Sequence, residues 1–219
     1  MRVLVACEFS GVVRDAFTAT GHEAVSCDLL PSDSPTGMHY QGDVFDLLDY
    51  DRDWDLLIAH PPCTYLTCSA EWLYRDFQTK KLKPGTLYGA ARREAREKAA
   101  EFFLRLAYAP VPRVVIENPV GVMSSLFRKP DQYIQPYEYG HDASKKTCLW
   151  LRGGLPLLKP TRHVAPRYVK GLPRWGNQLD SGQNREPPSE DRWKKRSTTW
   201  HGWGEAMAQQ WGTAIEAAA

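Results

Sequence analysis

The sequence lacks the features that mark membrane-spanning and disulfide-stabilised proteins. Its 219 residues include no apolar run of the roughly 20 residues needed to cross a bilayer. The five cysteines are odd in number and irregularly spaced, so we expect free thiols rather than a disulfide framework. The opening MRVLVACEFSG has one basic residue and a short apolar run, which predicts a first strand and not a signal peptide. These features favour a cytoplasmic protein without a membrane partner.

A strong net charge is also missing. The formal charge of +2 is too small to require a nucleic-acid partner. Basic residues nevertheless concentrate in the C-terminal third, in PTRHVAPRYVKGLPRW and DRWKKRS, whereas DVFDLLDYDRDWD is acidic. This unevenness suits either a phosphate-bearing substrate or an ordinary solvated surface.

The spacing of histidine and cysteine disfavours a metal site. His60, Cys63 and Cys68 follow a His-x-x-Cys-x4-Cys pattern that fits no common structural zinc motif, and two prolines stiffen its first part. The zinc-dependent nucleobase deaminases combine H-x-E with P-C-x-x-C, whereas this chain has P-C-x4-C and no H-x-E. We therefore expect no metal.

Short apolar runs alternate with helical periodicity along the chain. Strands are predicted over RVLVAC, HEAVSCDLL, MHYQGDV, DWDLLIAH, PRVVIENPVG and KTCLWLRG, and helices over SGVVRDAFTATG, residues 88 to 108 and GWGEAMAQQWGTAIEAAA. This alternation predicts an α/β fold in one domain, with a mostly parallel sheet and helices on both faces.

Polar residues follow most of the predicted strands. Alone, each would be an ordinary cap, a turn residue or a small buried side chain. Because the carboxyl ends of parallel strands meet at one edge of a sheet, where ligands bind, we expect these residues to form one site. They are Glu8 with the FSG turn, Asp28, Asp43, the PPC loop and Glu117 with Asn118.

Seven blocks of the sequence resemble those of one enzyme family. FSGVVRDAF, CDLLPS, GDVFDL, PPCTYLT, IENPVG, YGHDASKKTCLWL and TTWHGWGEAMAQQW occur in the order found in the cytosine-C5 DNA methyltransferases. That family is a branch of the S-adenosylmethionine-dependent, Rossmann-like class I methyltransferases. The resemblance spans nearly the whole chain, is closest to small phage-type members and is most specific at PPC followed by ENP. It implies methylation of cytosine C5 in DNA, in a bacterial or phage-infected host cell.

The resemblance also implies a set of substrate-side residues. Cys63 would be the nucleophile that adds to C6 of the base, and Glu117 would hold N3 and the exocyclic amine. A carboxyl group that donates a hydrogen bond needs a raised pKa, which burial at a strand end would provide. Lys145 would join the catalytic group, and the expected substrate-binding residues are Asn118, Lys146 and Thr147, the last standing where the family has an arginine.

S-adenosyl-L-methionine is the cofactor that the resemblance implies. Asp28 would accept hydrogen bonds from the ribose hydroxyls, Asp43 would lie near the adenine amine, and Phe9 would pack on the adenine ring or in the core. The turn from Glu8 would approach the methionine moiety, although Val13 replaces a glycine of the family. The full set of expected cofactor-binding residues is Glu8, Phe9, Ser10, Gly11, Asp28, Asp43 and Pro61.

Two segments differ from the regular part of the chain. Residues 153–197, rich in Pro, Arg and Trp, replace the separate target-recognition domain of full-size relatives, and their tryptophans would stack on bases or pin a surface meander. Residues 64–88 are predicted to form a mobile loop that closes over a flipped base. Without a recognition domain, the alternatives are a pyrimidine nucleotide or RNA substrate, target recognition through a protein partner, or a degenerate fold that only binds nucleic acid.

Overall fold

A seven-stranded, mostly parallel sheet lies at the centre of the molecule. The computed structural model describes residues 1–50, 53–77, 81–187, 189 and 192–216. The strand order is β3-β2-β1-β4-β5-β7-β6, in which β1 to β5 pair in parallel and β7 is antiparallel to both β5 and β6. The strands are β1 (Arg2–Ala6), β2 (Glu23–Asp28), β3 (Met38–Gln41), β4 (Leu56–Ala59), β5 (Arg113–Pro119), β6 (Gln132–Ile134) and β7 (Thr147–Arg152).

Helices cover both faces of this sheet because its strands bury apolar side chains on both sides. On one face, Val3 and Val5 of β1 pack with Phe17, Trp203 and other apolar residues of two helices. The opposite face carries a second cluster around Leu4, Ala6 and other core residues. The helices are α1 (Val12–Ala19) and α6 (His201–Glu216) on the first face, and α2 (Val44–Tyr50) and α3 (Gly89–Ala107) on the second.

The predicted α/β class with a mostly parallel sheet is confirmed, and the order 3-2-1-4-5 is compatible with a Rossmann-like sheet. Strand β5 lies within the predicted PRVVIENPVG run and ends at Pro119, and its Glu117 and Asn118 pair with Leu149 and Cys148 of β7. The sequence patterns did not predict β6, α2, α4 (Met123–Leu126), the hairpin of β8 (Arg167–Val169) and β9 (Leu172–Arg174), or α5 (Arg192–Ser197).

A buried arginine fixes the segment that follows β2. Arg14 of α1 is fully buried, and its guanidinium donates to the Ser26 hydroxyl at 2.9 Å and to the Thr36 carbonyl oxygen at 2.6 Å. Its Nε also donates to Asp15 at 2.8 Å. A buried guanidinium is stable only when its donors are satisfied, so these bonds hold residues 29–37 against α1.

The C-terminal basic segment is a meander held by an aromatic stack. The ring of Trp175 stacks on Tyr137 with centroids 4.1 Å apart, and its Nε1 donates to the Val164 carbonyl oxygen at 3.1 Å. The Asn177 side chain bonds both the N–H and the carbonyl oxygen of Ser144. Trp175 therefore pins the segment to the residues before β7, whereas the side chain of Trp193 lies outside the described residues.

The segment after the PPC loop contacts α3. A 3₁₀ helix spans Glu71–Tyr74, and Arg96 of α3 bonds both Glu71 and the Tyr65 carbonyl oxygen. Residues 78–80 of the predicted mobile loop lie outside the described part. Among the helices that are described, none combines the length and apolar character needed to span a membrane.

Candidate functional site

The predicted site residues gather at one edge of the sheet, at the carboxyl ends of β1, β4 and β5. The chain runs from β1 outward to β2 on one side, while β4 lies on the other side of β1. This reversal opens a crevice at the strand ends, which is where open α/β sheets bind ligands. The antiparallel β7 begins at the same edge, so the residues just before Thr147 also reach it.

A buried hydrogen bond ties the PPC loop to the ENP residues. Strands β4 and β5 are neighbours, with Ala59 opposite Ile116, so the residues that follow these two enter the crevice side by side. The Asn118 side-chain amide donates to the Pro61 carbonyl oxygen at 2.7 Å, and both residues are buried. Asn118 and Pro61 therefore fix the geometry of the loop that carries Cys63.

A second tie holds the turn after Cys63. The Leu66 and Thr67 N–H groups donate to the Cys63 carbonyl oxygen at 3.0 and 3.1 Å, and the Leu66 carbonyl oxygen accepts from the Val122 N–H at 2.8 Å. A Cβ atom at position 121 would overlap the Leu66 carbonyl oxygen, so Gly121 permits this approach. The glycine of ENPVG thus serves the PPC loop.

His60 and Glu117 form a buried side-chain pair beside Cys63. The Nδ1 of His60 lies 3.1 Å from Oε2 of Glu117, and the two side chains are only 8% and 10% exposed. The other polar atoms of the pair, Nε2 of His60 and Oε1 of Glu117, are buried and have no partner within the described part of the chain. Buried polar atoms are normally satisfied, so two such atoms in one crevice indicate a ligand-facing position. The sequence patterns did not assign His60 to the site.

The prediction of a raised pKa for Glu117 is wrong. Burial does raise the pKa of this carboxyl, but the hydrogen bond from His60 and the positive charge of Lys145 outweigh burial, and the pKa lies below its usual value. The carboxyl is therefore ionised at neutral pH in this state. The sequence suggested burial at a strand end, but it gave no sign that His60 and Lys145 would lie so close.

Cys63 is half-buried and lies in a mixed electrostatic environment. Burial raises the pKa of its thiol, Lys145 opposes this rise, Glu117 adds to it and Arg196 opposes it. The net pKa is above the ordinary value, so the thiol is protonated at neutral pH. Because the charges of Lys145 and Glu117 both act on Cys63, the three predicted catalytic residues lie within electrostatic reach of one another.

The residues before β7 occupy different positions. Lys145 is half-buried, and its Nζ donates to the Arg196 carbonyl oxygen at 3.3 Å. Lys146 is exposed and lies over the ring of Tyr133 at 4.2 Å, and no described contact joins it to Cys63 or Glu117. Thr147 is fully buried, and its hydroxyl donates to the Lys145 carbonyl oxygen at 3.0 Å, so it shapes the turn that presents Lys145.

The side chain of Glu8 caps the turn after β1. The Glu8 carboxylate is buried and accepts from the N–H groups of Val13 at 2.7 Å and Arg14 at 3.2 Å, and from the Ser10 hydroxyl at 3.3 Å. Gly11 has a φ of 74°, the left-handed conformation that this tight turn requires. Glu8 thus occupies the positive N-terminus of α1 itself, where a ligand had been expected to approach.

An apolar cavity of about 260 Å³ lies beside this turn, between the ends of β1, β2 and β3 and the side of α3. Asp28 and Asp43 both belong to its lining. Asp28 accepts from the Leu30 N–H at 2.9 Å, and Asp43 caps α2 through the Phe45 N–H at 3.0 Å. Its other walls are Cys7, Cys27, Leu29, Gly42, Val44, Pro62, Ala99 and Phe102.

Only Asp28 and Asp43 of the seven expected cofactor residues line this cavity, and Glu8, Phe9, Ser10, Gly11 and Pro61 do not. Phe9 is 5% exposed, is not part of the cavity lining, and has Lys194 at 5.4 Å from its ring centre. Pro61 is buried and contributes its carbonyl oxygen to Asn118, whereas the next residue, Pro62, lines the cavity. The apolar walls from Leu29 and Phe102 were not predicted, because neither residue belongs to a polar strand end.

Lys145 lines a second, larger cavity. It measures about 440 Å³ and is formed by the residues before β7, the meander and α5. Its charged lining is mainly basic, with Lys145, Arg185, Lys195 and Arg196 against a single acid, Glu186, which pairs with Lys195 at 3.2 Å. Such a surface suits an anionic ligand.

All five cysteines are free thiols, as predicted. Within the described residues, no group of three or more His, Cys, Asp or Glu side chains could hold a metal ion. The sequence matches no protein-family model and no curated protein with significant similarity. Function must therefore be inferred from the side chains and their arrangement.

Proposed function

We propose that this protein is an S-adenosylmethionine-dependent methyltransferase that methylates C5 of cytosine in DNA through a covalent adduct with Cys63. The observation that carries the proposal is the contact between the PPC loop and the ENP residues. Asn118 binds the Pro61 carbonyl oxygen, which places the Cys63 loop and Glu117 at adjacent strand ends. A thiol and a carboxyl group beside it are what addition to a pyrimidine ring needs.

The chemistry assigns one role to each residue. C5 of a pyrimidine is a weak nucleophile, so the Cys63 thiolate adds to C6, and the electron pair displaced from the ring collects on N3. Glu117, which takes up a proton from solvent as the base binds, holds N3 and neutralises this charge by proton transfer. Lys145 stabilises both the thiolate and the Glu117 carboxylate, because its positive charge lowers the pKa of each.

The residues of the apolar cavity fit a nucleoside-containing cofactor. A carboxylate that accepts hydrogen bonds from vicinal hydroxyls beside apolar walls is the usual way to hold an adenosine moiety. Asp28 and Asp43 supply carboxylates, and Leu29, Phe102 and Val44 supply apolar surface. S-adenosylmethionine would bring a sulfonium-bound methyl group to the enzyme. The cavity and the Cys63 loop are contiguous through Pro62.

The basic cavity supports a phosphate-bearing substrate. Arg196 and Lys145 line this cavity, and both act electrostatically on the Cys63 thiol, so phosphate groups held there would lie next to a base at Cys63. A pyrimidine nucleotide is the second candidate substrate, since the meander offers one compact basic cavity and no separate recognition domain.

The proposal is tested by incubating the protein with isotopically labelled S-adenosylmethionine and separate substrates: duplex DNA, single-stranded DNA, RNA and dCMP. We expect label in 5-methylcytosine from one of the DNA substrates, identified by mass spectrometry of the hydrolysed nucleosides. Label in dCMP alone supports the second candidate. Label on an exocyclic amine, or in none of the substrates, contradicts the proposal.

Replacing Asp28 by alanine is expected to weaken S-adenosylmethionine binding by about tenfold or more, because a carboxylate bound to two hydroxyls contributes on the order of 1.5 to 3 kcal/mol. Isothermal titration calorimetry measures the change. Asp49, an exposed aspartate in the last turn of α2, provides the matched control as Asp49→Ala. Equal affinity of the Asp28 variant and the control removes Asp28 from the site.

A further inference from the structure

The imidazole of His60 contacts one of the two carboxylate oxygens of Glu117. The imidazole Nδ1 meets only one carboxylate oxygen, Oε2, at 3.1 Å. Oε1 is buried and without a partner in the described part of the chain, so the two oxygens of Glu117 are not equivalent. The backbone reinforces this arrangement, because the His60 N–H donates to the Ala6 carbonyl oxygen at 2.9 Å and continues the pairing of β4 with β1.

Charged and titratable groups face the pair from each strand around it. Glu8, after β1, interacts electrostatically with His60. Cys63 lies on the loop after β4, and Lys145 and Cys148 approach Glu117 from β7 and the turn before it. Lys145 acts on Glu117 through its positive charge. His60 is the neighbour whose side chain is hydrogen-bonded to Glu117, through Nδ1 and Oε2.

We propose that His60 is a positioning residue that binds Oε2 of Glu117 throughout the reaction and leaves Oε1 to exchange a proton with N3 of the bound base. The inference rests on the proposed function. It assigns a different role to each carboxylate oxygen of Glu117.

The proton transfers during the reaction follow from the roles of these two oxygens. As the base binds, the ionised carboxylate takes up a proton from solvent on Oε1, while His60 donates its Nδ1–H to Oε2. When the Cys63 sulfur bonds to C6, the displaced electron pair reaches N3, which takes the proton from Oε1 and leaves a carboxylate. The Nδ1–H bond to Oε2 stabilises that carboxylate. After C5 has been methylated, a solvent water or hydroxide removes the C5 proton, the C5–C6 double bond re-forms and the S–C6 bond breaks. The proton on N3 returns to Oε1 and passes to solvent when the product leaves, which restores the pair.

Two amide substitutions separate this role from simple filling of space. In His60→Asn, the amide nitrogen can occupy the position of Nδ1 and keep a donor toward Oε2. In His60→Gln, the side chain is one methylene longer and its amide nitrogen corresponds to Nε2, so the Nδ1 donor is lost while the volume is kept. Thermal unfolding of both variants shows whether each remains folded.

The first measurement uses no substrate. Carbon-13 NMR of the glutamate side-chain carboxyls, with Glu117→Gln to assign the resonance, gives the pKa of Glu117 in each protein. We expect the wild type and His60→Asn to titrate similarly, with a lowered pKa. In His60→Gln, the pKa should rise by about one unit or more, because burial then opposes ionisation with less compensation. Identical titration of all three proteins overturns the inference.

The second measurement is the pH profile of methyl transfer. In His60→Gln, kcat should fall by about tenfold or more with KM changed less than threefold, and the limb that reports loss of the Glu117 proton should move to higher pH. His60→Asn should restore most of kcat. Equal loss of kcat in both variants without any displacement of the limb contradicts the positioning role. If the wild type transfers no methyl group, the proposed function fails, while the NMR titration still decides whether His60 controls Glu117.

Discussion

Methyl transfer is expected to fall by at least about a thousandfold when Cys63 is replaced by serine, while affinity for S-adenosylmethionine changes less than about twofold. A serine hydroxyl has a far higher pKa than a thiol and therefore forms far less of the anionic nucleophile, so it cannot add to C6 at a comparable rate. The cofactor cavity is lined by Pro62 and not by Cys63, which is why binding should survive. Single-turnover assays and calorimetry measure the two quantities.

Cys68 provides the matched control for this substitution. It lies five positions further along the same loop and is exposed. Cys68→Ser should therefore retain full activity. Loss of activity in both variants would point to the loop conformation, and wild-type turnover by Cys63→Ser would remove Cys63 as the nucleophile.

The covalent adduct itself can be detected. Fluorine at C5 cannot leave as a proton, so a substrate that carries 5-fluorocytosine should stop the reaction after methyl transfer, with the S–C6 bond intact. Mass spectrometry of the wild type with this substrate and S-adenosylmethionine should show one added nucleic-acid chain, and Cys63→Ser should show none. Because the pKa of the Cys63 thiol is raised, adduct formation should accelerate as the pH increases through neutrality, when the thiolate fraction grows.

The strand ends were predictable because hydrophobic runs mark where buried strands stop. Cys63 and Glu117 each follow or end such a run, and the parallel order of β4 and β5 places them together. The bond between Asn118 and Pro61 follows from the same register. The coarse architecture and the central pair of motifs were therefore within reach of the sequence.

The role of His60 was not within reach of the sequence, because its contact with Glu117 joins residues on different strands. A pattern can show that Glu117 is buried, but only the fold shows that His60 and Lys145 lie next to it. These two neighbours lower the pKa of Glu117, whereas burial alone would raise it. The apolar wall from Phe102 was missed for a similar reason, since Phe102 lies on α3, far along the chain from the strand ends that form the rest of the cavity.

Lys146 and Thr147, which the resemblance assigned to substrate binding, differ from Lys145 in where their side chains lie. Alternation along an extended chain sends neighbouring side chains in opposite directions, so Lys146 lies on the ring of Tyr133 while Thr147 is buried. Of the three residues in this block, Lys145 alone acts electrostatically on both Cys63 and Glu117.

Replacement of Glu117 by glutamine should have the second large effect, a loss of kcat of about a hundredfold to ten-thousandfold. The amide oxygen can still accept from His60, and the amide nitrogen can still donate a hydrogen bond to N3, so the base should bind within about tenfold of the wild-type affinity. The amide cannot give up a proton to N3, and the charge that develops there during addition of Cys63 remains unneutralised.

Single-turnover kinetics and DNA-binding assays separate these two effects, with Glu97→Gln on the exposed side of α3 as the control. The 5-fluorocytosine substrate sharpens the comparison, because slow addition should reduce the rate of adduct formation in Glu117→Gln as strongly as it reduces turnover. Normal adduct formation with slow turnover would instead place Glu117 in the later elimination step. Unchanged kcat would show that N3 is protonated by another group, and the buried, unpartnered Oε1 of Glu117 would then need a different ligand.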